Sequence, residues 1–247
     1  MKNKRILLSF LFTTIISFSS SAQNFWIPDA NFRNFLMLNY PTCFTSQDSL
    51  ISNCDSILQE TNLSVSLSNI SDLNGLQFFK SLKHFTCFSN SITAIDSLPD
   101  SLIYFNCSHN QLQSLPPLPS RITTLVCNIN QLTSLPALPQ SLLYFDCREN
   151  NLDSLPALPP TLRWLHCEAN QLTTLPALPN SVQIIYGGNN NLTQLPNLPP
   201  DLRILSVPSN QLIALPALPP KLMNLYCGFN QLDSLANLSD FVYHFSC

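Results

Sequence analysis

Nine cysteines and four histidines are the residues of this chain on which metal or redox chemistry would draw. Cys87, Cys107, Cys127, Cys147, Cys167, Cys227 and Cys247 stand twenty residues or a multiple of twenty apart, and Gly187 and Val207 hold the same place in the blocks between. A position that accepts Cys, Gly and Val is a small buried site, where Cys acts as a small hydrophobe. No C-x-x-C pair occurs, so the spacing does not suit zinc. These thiols are expected to stay reduced, because inward side chains on adjacent parallel strands point in nearly the same direction, which is poor for the S–S torsion. Cys43 and Cys54 lie outside the column and are expected to close a small disulfide loop. His84, His109, His166 and His244 fall in separate blocks without H-E-x-x-H spacing. No G-x-S-x-G, P-loop or G-x-G-x-x-G occurs, and four glycines leave little material for such loops. The expectation is a protein that is not an enzyme and uses no cofactor and no metal.

Recognition has better material. Of the eight Tyr and Trp residues, five fall in register at twenty-residue spacing or two places away from it: Tyr104, Tyr144, Trp164, Tyr186 and Tyr226. Asp146, Arg148, His166 and Glu168 interleave with them. Tyr and Trp with a few charges are the usual composition of binding hot spots, so these nine residues form the candidate binding face. Trp164 is its anchor, since a large rigid ring buries much area with few rotors to freeze. Charged residues make up only 10% of the chain and the net charge is -3. That excludes a strongly basic nucleic-acid footprint.

A strict internal period positions these residues. From Ser81 to Asp240 the chain reads as eight blocks of twenty without insertion, sharing L-x-x-L-x-C-x-x-N-x-L-x-x-L-P-x-L-P. Within a block, Leu102, Phe105 and Cys107 mark a short strand with one buried face. Such strands stack about 4.8 Å apart in a parallel sheet. Asn recurs at 90, 110, 130, 150, 170, 190, 210 and 230, where the chain turns off the strand. Its amide carries both donors and acceptors, so a buried column of Asn satisfies the turn. Pro accounts for 20 residues against four Gly. Pro116, Pro119 and their equivalents fix φ and remove N–H donors, which excludes a helix on the return path and leaves it extended or polyproline-like, with Leu115 and Leu118 inward.

The pattern resembles the leucine-rich repeat family, and the L-P-x-L-P ending is similar to its short bacterial subtype, found in secreted effectors and surface proteins. Ile70-Ser-Asp-Leu-Asn-Gly-Leu76 resembles the opening repeat of internalin-like surface proteins. Ile27-Pro-Asp-Ala-Asn-Phe32 resembles the leader of repeat proteins exported by the Bacteroidetes group. The resemblance implies an α/β-type curved solenoid dominated by short parallel strands, with an extended convex side. Its concave strand face would bind another protein. A glycan is the alternative ligand. A further alternative is a host-directed effector related to the short-repeat ubiquitin ligases but without their catalytic domain.

The ends differ in kind. Residues 1–22 carry a basic start, an apolar run and Ser-Ser-Ala22, the pattern of a signal peptide cut between Ala22 and Gln23. The run is too short to span a bilayer, which takes about 20 residues. The mature chain is therefore expected to be secreted or at the cell surface, with no membrane span. Residues 23–60 lack the period and are expected to cap the solenoid, with a helix after Asp29 stopped by Pro41. Residues 61–80 form an atypical first repeat, and 241–247 begin a further, incomplete one.

Overall fold

The computed structural model describes residues 23–233 and 244–246. The signal sequence expected over residues 1–22 lies outside the described residues, as does Cys247.

Strand β1 (Asn24–Phe25) pairs antiparallel with β2 (Leu50–Ile51), and between them runs helix α1 (Ala30–Asn39). Asp29 caps this helix: one carboxylate oxygen accepts from the N–H of Phe32 at 2.8 Å. The other accepts from the backbone and hydroxyl of Ser71, both at 2.8 Å, and from the N–H of Asp72 at 3.3 Å. One side chain thus ends the helix and ties it to the first turn of the solenoid. Phe32 and Leu36 are buried beneath it and Phe35 packs at the margin. Gly75 takes a φ of +119°, and a β-carbon there would meet Ile27 at 3.1 Å, so the cap seats closely only over glycine. A single helical turn, α2 (Asp55–Leu58), follows, and Cys54 at its start is disulfide-bonded to Cys43 with Cα atoms 5.3 Å apart.

Ten three-residue strands then form one parallel sheet in sequence order: β3 (Asn62–Ser64), β4 (His84–Thr86), β5 (Tyr104–Asn106), β6 (Thr124–Val126), β7 (Tyr144–Asp146), β8 (Trp164–His166), β9 (Ile184–Tyr186), β10 (Ile204–Ser206), β11 (Asn224–Tyr226) and β12 (His244–Ser246). From β4 onward each residue pairs with the one twenty later, as in Tyr144 with Trp164 and Asp146 with His166. The middle residue of each strand from β4 to β11 is fully buried, and Phe85 stacks on Phe105 at 5.8 Å. The cysteine column lies one layer further along the same core.

The Asn column is a buried ladder. The amide nitrogen of Asn150 donates to the carbonyls of Cys127, Cys147 and Arg148, and its oxygen accepts from the N–H of Leu132 at 3.0 Å. Asn110, Asn130, Asn170, Asn190 and Asn210 repeat this set. The residue before each Asn adopts the left-handed conformation although none is glycine: Ser89, His109, Ile129, Glu149, Ala169, Asn189, Ser209 and Phe229 have φ of 52 to 59°. The next block supports the turn, since Ile129 donates to the Arg148 carbonyl and Asn130 to that of Glu149.

Among the described residues, the Pro-rich return path contains no helix. Leu115 is buried and Leu118 packs partly buried against the core. At the far corner the first hydroxyl of a block fastens it to the block before. Ser141 reaches the carbonyls of Ser120 and Ile122, Thr161 those of Gln140 and Leu142, and Ser181 those of Pro160 and Leu162, all at 2.7 to 2.8 Å.

Candidate functional site

Strand alternation puts the middle residue of each triplet in the core and the flanking two on the open face of the sheet. On β7 to β9 that face gathers most of the candidate residues. The ring of His166 sits between Tyr144, at 5.3 Å, and Tyr186, at 4.8 Å, and Trp164 lies 6.4 Å from Tyr144. Four rings therefore form one patch, with separations in the range of tilted aromatic pairs. Arg148 and Glu168 follow in the next column. Tyr104 stands apart on β5, 6.2 Å from His84. Tyr226 stands apart on β11, where it shares a depression with Tyr186, Ser206, Pro208 and the exposed Phe229.

One candidate departs from expectation. Strand alternation puts Asp146 on the exposed face, but it is only 2% exposed. Its carboxylate folds back to accept from the N–H of Arg148 at 3.3 Å, and its other oxygen lies 3.3 Å from the Arg148 Nε. Asn106 does the same for Ser108 two blocks earlier. Short Asx side chains at this position close the turn after the strand, so Asp146 is held down while Arg148, with 43% of its side chain exposed, stands above it.

Three side-chain atoms of this neighbourhood are buried without a hydrogen-bond partner: the Asn128 Oδ1, the His166 Nδ1 and the Glu168 Oε2. Burial also shapes the ionisation. His166 is pushed down to about 4 by burial and by the Arg148 charge. Burial raises Glu168 and Asp146, and Arg148 opposes the rise in both. At neutral pH the patch thus presents a neutral imidazole, two carboxylates and one guanidinium. Asn128 was not singled out in the sequence, although it precedes Arg148 in its column.

The column cysteines among the described residues are core residues. Cys87, Cys107, Cys127, Cys147 and Cys167 are free and buried, and burial pushes their thiols far above the ordinary range. The thiols of Cys127, Cys147 and Cys167 point at carbonyls of the next strand. Cys227 corrects the expectation for its column, because it is disulfide-bonded. Among the described residues, no group of three or more His, Cys, Asp and Glu is placed to hold a metal. No helix of the described residues is long and apolar enough to cross a membrane.

No family model matches the chain, and no curated protein does. Solved structures do. YopM from Yersinia enterocolitica is 30% identical over 75% of this chain and 50% of its own, with a TM-score of 0.59. The functional domain of InlJ from Listeria monocytogenes, which includes a cysteine ladder, is 26% identical over 87% of this chain and 54% of its own, with a TM-score of 0.67. The fold is the leucine-rich repeat solenoid, and the chain is similar to bacterial proteins that carry it. It spans about half the length of the structures it matches.

Proposed function

We propose that this chain is an exported, non-catalytic interaction module that binds another protein through its concave strand face. The observation that carries the reading is the ring patch of Tyr144, Trp164, His166 and Tyr186, joined by Arg148 and Glu168 two residues past the ends of β7 and β8. A solenoid places such side chains on a continuous surface, and rings bordered by charge are what hot spots are made of. Export rests on the basic, apolar and small-residue order of residues 1–22, with cleavage after Ala22. Similarity to YopM from Yersinia enterocolitica and InlJ from Listeria monocytogenes supports an interaction role.

The test is affinity capture from a membrane-protein extract, with wild-type protein compared with a Tyr144→Ala/Trp164→Ala double variant. Neither residue lies in the core, so the fold should persist. Loss of two anchors should lower recovery of the specific partner by tenfold or more, at about 2 kcal/mol for each hot-spot residue. Gln140→Ala, on the exposed end of a Pro-rich return, is the control and should change nothing. Equal recovery by the double variant would move the binding surface to the Pro-rich side or the cap.

A further inference from the structure

We propose that the partner is held by a cationic side chain, lysine or arginine, seated on the strand face beside Glu168 and His166 and over the rings of Tyr144 and Tyr186. The inference rests on the reading of this face as a protein-binding surface and adds the chemistry of its central contact.

Three features point to a cation. First, the atoms left unsatisfied are acceptors. The Glu168 Oε2 and the Asn128 Oδ1 can only accept, and the His166 Nδ1 accepts when its proton sits on Nε2. Asn128 is 6% exposed, so its oxygen was taken out of water without replacement. Buried acceptors of this kind are rare, and although sealed from direct contact they make the surface above them attractive to a positive charge. Second, the charges do not balance. Asp146 and Glu149 both act on Glu168 to disfavour its charge, Glu149 acts likewise on Asp146, and Arg148 is the cation that acts on Asp146 and Glu168. Its guanidinium pairs with Asp146 through Nε, and Glu168 makes no ion pair among the described residues. Third, ring faces surround the place. His166 lies between Tyr144 and Tyr186 at 5.3 and 4.8 Å. Being neutral at physiological pH, it does not repel a cation, while the tyrosine rings attract one. A carboxylate from a partner would find one guanidinium already shared, with two carboxylates beside it. An uncharged hydroxyl would leave Glu168 uncompensated.

Asn128 and Glu168 are two strand spacings apart, about 9.6 Å, so one ammonium cannot reach both. The Glu168 side is the seat of the cation, because the unpaired charge and the Tyr186 ring are there.

The experiment titrates the protein with the acetyl, methylamide derivatives of lysine, arginine and norleucine, and with methyl glucoside. Ring signals of His166 and Trp164 are followed by NMR. Lysine or arginine derivatives should shift both signals saturably, while norleucine and the glucoside should not. Glu168→Gln should weaken the cationic probe about tenfold, and Tyr186→Leu about threefold, at unchanged melting temperature. Equal shifts from norleucine or the glucoside, or undiminished binding in Glu168→Gln, would overturn the proposal. Failure of the probes while Tyr144→Ala/Trp164→Ala still loses the captured partner would overturn the cation seat alone. Failure of both would overturn the protein-binding reading as well.

Discussion

Two residues show how burial sets behaviour in this chain. Asn150 satisfies three carbonyls and one N–H of the turn. Asn150→Ala leaves these groups buried and unpaired, at a cost of about 1–3 kcal/mol, which urea denaturation should resolve. Unchanged stability would show that water replaces the amide. His166 carries the opposite lesson about charge. Its folded value of about 4 lies below its ordinary 6.5, so the unfolded chain takes up the proton first. The contribution of this residue is therefore complete above pH 6.5 and declines as pH falls toward 4. An NMR titration should find the imidazole neutral at pH 5. His166→Phe should remove this part of the acid sensitivity, and an unchanged slope of stability against pH between 6 and 4.5 would refute the assignment.

Among the elements, the cap depends on one carboxylate. Asp29 accepts from Phe32, Ser71 and Asp72, and although partial burial opposes it, these hydrogen bonds hold its carboxyl below the usual value. Asp29→Ala should destabilise the cap by about 1–2 kcal/mol, seen as faster hydrogen exchange in α1 ahead of the strands. Uniform exchange across α1 and the sheet would contradict that. The strands, the Asn ladder, this helix and the extended return were legible in the sequence, because each repeats or follows a strong local rule. The left-handed turn residues were not. A signal for positive φ is usually glycine, yet Ile129 and Phe229 occupy it, held by hydrogen bonds to neighbouring blocks that no local pattern encodes. The hydroxyls of Ser141, Thr161 and Ser181 escaped notice for the same reason. At the candidate site, outward columns followed from alternation. The burial of Asp146 did not, since it depends on the side chain bending to its own backbone. Nor did the unpartnered oxygen of Asn128, which is a property of packing between blocks.

For the whole molecule, the sheet is held by contacts between consecutive blocks. Among the described residues, each of the five free thiols belongs to a different block and is sealed in that block's core. In a structure stabilised mainly by nearest neighbours, unfolding advances as a front rather than everywhere at once. A thiol becomes open to alkylation only when its own block has opened. The row from Cys87 to Cys167 is therefore a ruler. Under partial denaturation, a brief pulse of an alkylating reagent should leave molecules carrying none, one, two or more labels, and peptide mapping should find the labelled sites contiguous. A mixture of only unlabelled and fully labelled chains would mean that the blocks open as one. The same residues that fill the interior thus record, as integer steps in mass, how far along the chain order has been lost.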